Sequence, residues 1–385
     1  MHRPKNKYTL LTISTLYVIV ALFMCPQNTQ AGTKPLAVDV VFTLDLSGST
    51  NGLIDDVRDK IWDMNNEIRR LSPEISLRFA VVGYSRPSFG DKNQLVKVIS
   101  PFTNNIDLIC SELYKIRPNI EKGDQYVGAA IRASIDLLQW SNDKDAIKQL
   151  FLVGNGSVFL GGFSVKESCE LAKEKGISIH AFYCSSSLRA REIDGWTKIA
   201  DATGGVALDI KIHKRLSDYS TSGNFDKLRH LADELCKTYI YYGKEGQANY
   251  KLMASNDKNA LQSGKGTYEA MMVYKISDAY QGKQSSWDLI DYVKSRKFDL
   301  KNIDSTTLPD SLKKSSPEQL LTKLLQIKDR RNVIVSQIRQ LLPYDRQNQV
   351  NAFYATKSDE SRMILDREVM KILYEKLEKN GIALN

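Results

Sequence analysis

Asp45, Ser47 and Ser49 present one carboxylate and two hydroxyls at alternate positions of the run Asp45-Leu46-Ser47-Gly48-Ser49-Thr50. These are hard oxygen donors, and on a tight turn they make half a cage for Mg²⁺ or Mn²⁺. Such an ion keeps its remaining positions for water or an outside ligand, so the chemistry they suggest is binding. Gly48 lets the backbone turn so that both hydroxyls point the same way. The same residues have a plainer use. Asp45 can cap a following helix, and the serines can satisfy nearby backbone N–H groups.

The elements around this run decide where it sits. An apolar stretch, residues 36–44, precedes it and has the composition of a buried strand. After it, Ile54, Val57, Ile61, Met64, Ile68 and Leu71 recur at helical spacing until Ser72-Pro73 stops the pattern. Strands are expected at 75–84 and 94–99 (the second short and edge-like), then at 149–153, 177–183 and 206–210. Helices are expected at 105–116, 127–140, 165–175 and 192–202. This alternation predicts an α/β fold, a doubly wound and mostly parallel sheet flanked by helices. Ligands of such sheets bind at the C-terminal edge of the strands, where the Asp45 turn emerges.

Two further runs fit one family. Gly176-Ile177-Ser178-Ile179-His180-Ala181-Phe182 precedes Ile199-Ala200-Asp201-Ala202-Thr203-Gly204-Gly205, and both follow the D-x-S-x-S run in order. Together they resemble the von Willebrand factor A domain, over residues 35–213. The resemblance implies a metal-ion-dependent adhesion site holding Mg²⁺ or Mn²⁺ on Asp45, Ser47 and Ser49. Its second loop would add Asp124, from Gly123-Asp124-Gln125, although that residue could equally cap the next helix. Its fourth-strand loop usually reads Thr-Asp-Gly, and here reads Gly154-Asn155-Gly156. Asn155 can offer a carbonyl oxygen but no charge. Asn155-Gly156-Ser157 is also a glycosylation sequon. By the same resemblance the partner is a protein whose Glu or Asp completes the metal shell. Loops 84–91 and 156–162 would give specificity, with Ser85, Arg86 and Phe89 at the rim.

The rest of the chain sets the context. Arg3, Lys5 and Lys7 precede an apolar stretch at 10–24 and small residues near Ala31, the pattern of a signal peptide over 1–31. That reading places the protein outside the cell or in the periplasm. The alternatives are an uncleaved membrane anchor or a lipid-anchored Cys25, against which bulky Met24 argues. Cys110, Cys169, Cys184 and Cys236 could form two disulfides in three pairings, or serve as four buried thiols. Four histidines leave little for His-based metal sites or catalytic triads. Ser47 lacks the glycine of a nucleophile elbow, 154–162 lacks the lysine of a phosphate loop, and nothing has the pattern of a nucleic-acid binder.

Beyond a polar linker at 214–225, residues 226–385 read as an all-helical domain. Helical composition covers 225–242, 248–280, 286–295 and 358–379, and Ser316-Pro317-Glu318 starts a helix running toward Leu342 and Pro343. Tyr239, Tyr241, Tyr242 and Tyr250 could form an aromatic surface, but packing is their commoner use. The net charge of +9 is uneven, about −2 over 32–210 and +8 over 211–385. The basic half could rest on an anionic envelope surface, or could simply be solvated helix faces. The expected role is metal-dependent protein binding, not enzymatic. The alternative is a metal-independent envelope scaffold with a vestigial site.

Overall fold

The strand β1, Leu36–Asp45, is buried from Val38 to its end, as a strand flanked on both sides and covered on both faces must be. The computed structural model describes residues 35–50, 53–71, 75–116, 121–184, 192–210, 222–342 and 365–382. The expected leader at 1–31, Cys25, most of the linker, the stops at Ser72-Pro73 and Pro343, and the 358–364 start of the last helix lie outside the described residues. β1 has parallel neighbours in β2 (Ile75–Tyr84) and β4 (Ile147–Gly154). β5 (Ile177–Cys184) and β6 (Ala207–Ile210) extend the sheet beyond β4, also parallel. Antiparallel β3 (Lys97–Thr103) forms the opposite edge, giving the order β3-β2-β1-β4-β5-β6.

Side chains alternate between the two faces. Val40, Phe42 and Leu44 join Phe79, Phe151 and Phe182 under α1 (Leu53–Leu71) and α2 (Ile106–Lys115). Val41, Ala80, Leu150 and Ile179 face α3 (Val127–Asp136), α4 (Val165–Glu174) and α5 (Ile193–Thr203). The doubly wound arrangement is therefore the observed one.

The edge strand starts three residues later than its alternation suggests. A 3₁₀ turn at Asp91–Asn93 puts Gln94 and Leu95 at φ 49° and 58°, outside strand geometry. Pro101 then sits within β3, which an edge strand tolerates because one row of its N–H groups has no ladder partner.

The remaining helices are α6 (Phe225–Cys236), α7 (Gly246–Ser263), α8 (Lys265–Ile276), α9 (Leu289–Lys294), α10 (Asp310–Lys313), α11 (Pro317–Leu341) and α12 (Leu365–Lys379). The helical pattern over 248–280 is two helices, because Gly264 at φ 143° breaks the ladder between α7 and α8. α6 ends at Cys236, six residues before the pattern does. Ile240 N–H then donates to Asp288 Oδ1 at 3.0 Å, and Tyr241 bridges to Asp288 in extended form. α11 starts as expected, with Pro317 in its first turn and a capping box between Ser316 and Gln319.

Leu36–Asn385 is one compact unit, and the helical part buries the outer side of α1 and α2. Tyr274 of α8 lies 5.3 Å from the Trp62 ring, and Asn66 donates to Ala270 O at 3.0 Å. Asn256 of α7 donates to Asp107 O at 2.8 Å, and Tyr374 of α12 to Glu67 at 2.6 Å. Tyr239, one of the clustered tyrosines, is buried against Trp287 and Tyr280, so its use is packing. Cys110, Cys169 and Cys236 are free thiols, and burial pushes the pKa of each upward. No described helix is long and apolar enough to cross a membrane.

His180 of β5 makes this core pH-sensitive. It is fully buried, stacked 4.9 Å from Phe151. Its Nδ1 accepts from Val206 N–H at 3.1 Å, which leaves Nε2–H to donate to Gln149 Oε1 at 2.7 Å. Burial first, then the nearby charge of Lys376, lowers its pKa from 6.5 to about 3. The neutral ring thus contributes stability that is full above pH 6.5 and is lost as the pH falls toward 3. Asp107 works oppositely. Burial raises its pKa to about 6, so its contribution is greatest at low pH and lost as pH rises through 6. The clean readout is the stability difference between wild type and His180→Phe. Measured by urea unfolding, that advantage should shrink by about 1.4 kcal/mol for each pH unit below 6.5. A constant difference between pH 7 and 5 would count against this account.

Candidate metal centre

Asp45 ends a central strand, and its carboxylate is fully buried at the sheet's C-terminal edge. The chain then turns tightly. Ser47 N–H donates to Asp45 Oδ1 at 2.9 Å, and Thr50 Oγ1 donates to Asp45 O at 2.7 Å and Ser47 O at 3.1 Å. The 3₁₀ turn Gly48–Thr50 brings Ser47 Oγ and Ser49 Oγ to 2.8 Å. Ser49 Oγ in turn donates to Asn155 Oδ1 at 3.1 Å. Residues 106 apart in sequence therefore meet as one polar cluster.

Gly154 makes that approach possible. A Cβ there would stand 2.2 Å from the Tyr84 hydroxyl and 2.6 Å from Asp45 Cβ. Trp196 Nε1 donates to Gly156 O at 3.0 Å and fixes the turn that follows. Asn155 is buried and spends its side-chain oxygen on Ser49, so the sequon it heads is not presented for glycosylation.

The expected residues do not all meet. Asp45, Ser47, Ser49 and Asn155 come together. Asp124 is exposed, and its carboxylate accepts from Tyr126 OH at 3.1 Å. Nor does it cap α3, whose N-cap is Tyr126 with no side-chain cap. The neighbouring Gln125 reaches the fourth-strand loop instead, since a Cβ on Gly156 would lie 2.9 Å from its Oε1. Ser85 and Arg86, expected at the rim, are buried. Arg86 Nε donates to Leu46 O at 2.9 Å, and its guanidinium lies 3.6 Å from Glu121. Glu121 O also accepts from Gly48 N–H at 3.0 Å, and its carboxylate accepts from Ser88 N–H and Oγ, each at 2.9 Å. Glu121 thus ties three loops together, a role its sequence context does not announce.

Ser85 lies beneath the cluster. It follows Tyr84, the parallel partner of Asp45, and holds φ 68°, a left-handed value uncommon outside glycine. Its Oγ and Asp45 Oδ2 are both buried without a hydrogen-bond partner. Burial dominates and raises the Asp45 pKa, while Ser47, the Asn155 backbone and Ser85 act in the opposite direction. A buried carboxylate oxygen without a partner is costly. A hard cation would relieve that cost, and the surrounding donors (two hydroxyls and a carboxamide oxygen) are the oxygen type it prefers. Among the described residues no three of His, Cys, Asp and Glu converge, so any cation here would rest on one carboxylate, two hydroxyls and a carboxamide oxygen.

No protein-family model and no curated protein matches the chain. Among solved structures, BatB from Bacteroides thetaiotaomicron is similar at 15% identity and a TM-score of 0.35, over 46% of this chain and 91% of that one. The VWA domain of SpRpn10 is similar at 14% identity and a TM-score of 0.32, over 47% of this chain and 90% of that one. Proximal thread matrix protein 1 of mussel byssus, with a zinc-occupied MIDAS motif, is similar at 17% identity and a TM-score of 0.34. That match covers 52% of this chain and 44% of the other.

Proposed function

We propose that this chain is a protein-binding module of the von Willebrand A type, working through a divalent cation. The observation that carries the proposal is the unpartnered, buried Asp45 Oδ2 beside the Ser47–Ser49–Asn155 cluster. Asp45, Ser47 and Ser49 would hold Mg²⁺ or Mn²⁺, with Asn155 supplying an oxygen or positioning a coordinated water. Bound there, the ion would supply Lewis-acid affinity for an incoming carboxylate. Asp45 is the one carboxylate in the cluster, so a divalent ion keeps excess positive charge. That excess favours an acidic side chain of a partner over a neutral one. The ties of buried Arg86 and half-buried Glu121 hold the loops in place, so the site is preorganised for binding. We further propose an exported location, from the basic and apolar start of the sequence.

A second reading is a metal-independent scaffold, favoured by Asn155 where a second carboxylate would strengthen the site. Calorimetric titration of the full chain with Mg²⁺ and Mn²⁺ separates the two. One saturable equivalent that EDTA reverses is the expected result. Heat no greater than dilution for both ions would leave the scaffold.

A further inference from the structure

Beside the candidate metal centre, α4 and α5 run next to each other and leave a trough of about 760 Å³ between them. Its floor is apolar, with Val158 from the loop, Val165 and Cys169 from α4, and Ile199 from α5. Gly195 and Ala202 keep the α5 side low. A cavity of this size takes several side chains. The loop that closes it begins three residues after Asn155, and Gln94 Oε1 holds it by accepting from Gly162 N–H at 3.1 Å.

That loop exposes Phe159 at 82%, Leu160 at 41% and Phe163 at 44%. Single exposed apolar residues are ordinary, but Phe159 and Phe163 line the apolar trough and Leu160 lies between them in the chain, and three within five positions form a patch of the kind that partners cover. A small apolar ligand would fill the trough and still leave Phe159 in water. A polypeptide would cover both.

The banks of the trough set the charge of that polypeptide. Lys166 and Lys173 stand on the α4 side and Lys198 on the α5 side, against one carboxylate, Glu170. Glu170 lies 3.9 Å from Lys166. Among the described residues, Lys173 and Lys198 have no ion-pair partner.

We propose that this trough receives a segment of the protein partner bearing bulky aliphatic or aromatic side chains flanked by carboxylates. The proposal rests on the partner-binding reading above and names the partner's chemistry. The apolar side chains enter between the helices, and the carboxylates meet Lys173 and Lys198. A further acid on the same partner is then within reach of the Asp45 cluster.

The test is selection of a random phage-displayed peptide library on the full chain, with and without EDTA. It is repeated on Ala202→Trp, which fills the trough, and on Lys173→Glu/Lys198→Glu, which reverses its banks. All three positions are exposed, so both variants should keep the wild-type circular dichroism spectrum. The expected consensus pairs large apolar residues with acids. A synthetic consensus peptide should bind Ala202→Trp about tenfold more weakly or worse. The charge-reversed variant should enrich Lys and Arg instead. No enrichment, a consensus without acids, or equal binding to Ala202→Trp would overturn the proposal. Trough-dependent peptides that survive EDTA support the trough and remove the cation from the reading. Peptides lost in EDTA yet retained by Ala202→Trp do the reverse.

Discussion

Asp45→Asn should make the cation-free protein more stable while abolishing its response to Mg²⁺. The Asp45 carboxylate is buried, its Oδ2 has no partner, and burial raises its pKa. Such a group costs about 1–3 kcal/mol in the absence of a counter-ion. A neutral amide of the same shape removes the charge, and its N–H₂ can donate toward Ser85 Oγ, itself unpartnered. Urea unfolding in EDTA should therefore show a gain within that range. With Mg²⁺ at roughly a hundred times its dissociation constant, wild type should gain about 2.7 kcal/mol and the variant nothing. The two changes have opposite signs, which is what a binding site maintained at the expense of stability should show. A variant that loses stability in EDTA, or keeps its Mg²⁺ response, would place the cation elsewhere.

Arg331→Leu should be the most destabilising single change in the helical part, by about 3–5 kcal/mol. Arg331 is fully buried in α11. Its Nε donates to Thr238 Oγ1 at 2.9 Å and its Nη2 to Thr238 O at 2.6 Å. It also meets Asp288, and Asp291 at 3.2 Å, while its guanidinium lies 4.2 Å from the Tyr239 ring centre. One side chain thereby joins the segment after α6, the helix α9 and the helix α11. Removing it leaves two buried carboxylates without their main counter-charge. Lysine cannot replace the planar fork, so Arg331→Lys should recover little. Adding Asp288→Asn and Asp291→Asn to Arg331→Leu should recover part of the loss, because the stranded charges go with it. The denaturation midpoints of these variants decide the matter. A loss under 1 kcal/mol for Arg331→Leu would show that the network adds little.

Local patterns were legible wherever local chemistry decides the structure. β2 has the bounds its pattern implies, 75–84: Ser76 and Arg78 alternate with apolar residues at its start, and the run from Phe79 to Val82 is apolar throughout where both faces are covered. Ser316, Pro317 and Gln319 specify the start of α11 within a single turn. Asp45, Ser47 and Ser49 were recognisable because a tight turn places alternate donors together without help from the rest of the chain. Gly264 was harder to read, since glycine is tolerated inside helices and its φ of 143° is known only from the fold.

The alternation of strands and helices, the sheet edge where the Asp45 turn emerges, and the oxygen donors gathered there all follow from local sequence. Hydrophobic periodicity and turn chemistry act over a few residues, so they can be read without neighbours. Which distant residues complete the cluster depends on the three-dimensional fold. It brought Asn155 to Ser49, turned Asp124 outward to Tyr126, and buried Ser85 and Arg86 beneath the loops. It also buried Arg331, which sits in a run, Asp329-Arg330-Arg331-Asn332, that reads as a solvated helix face. Burial and partners belong to elements tens of residues away, and a charged side chain carries no local sign of which way its helix will face.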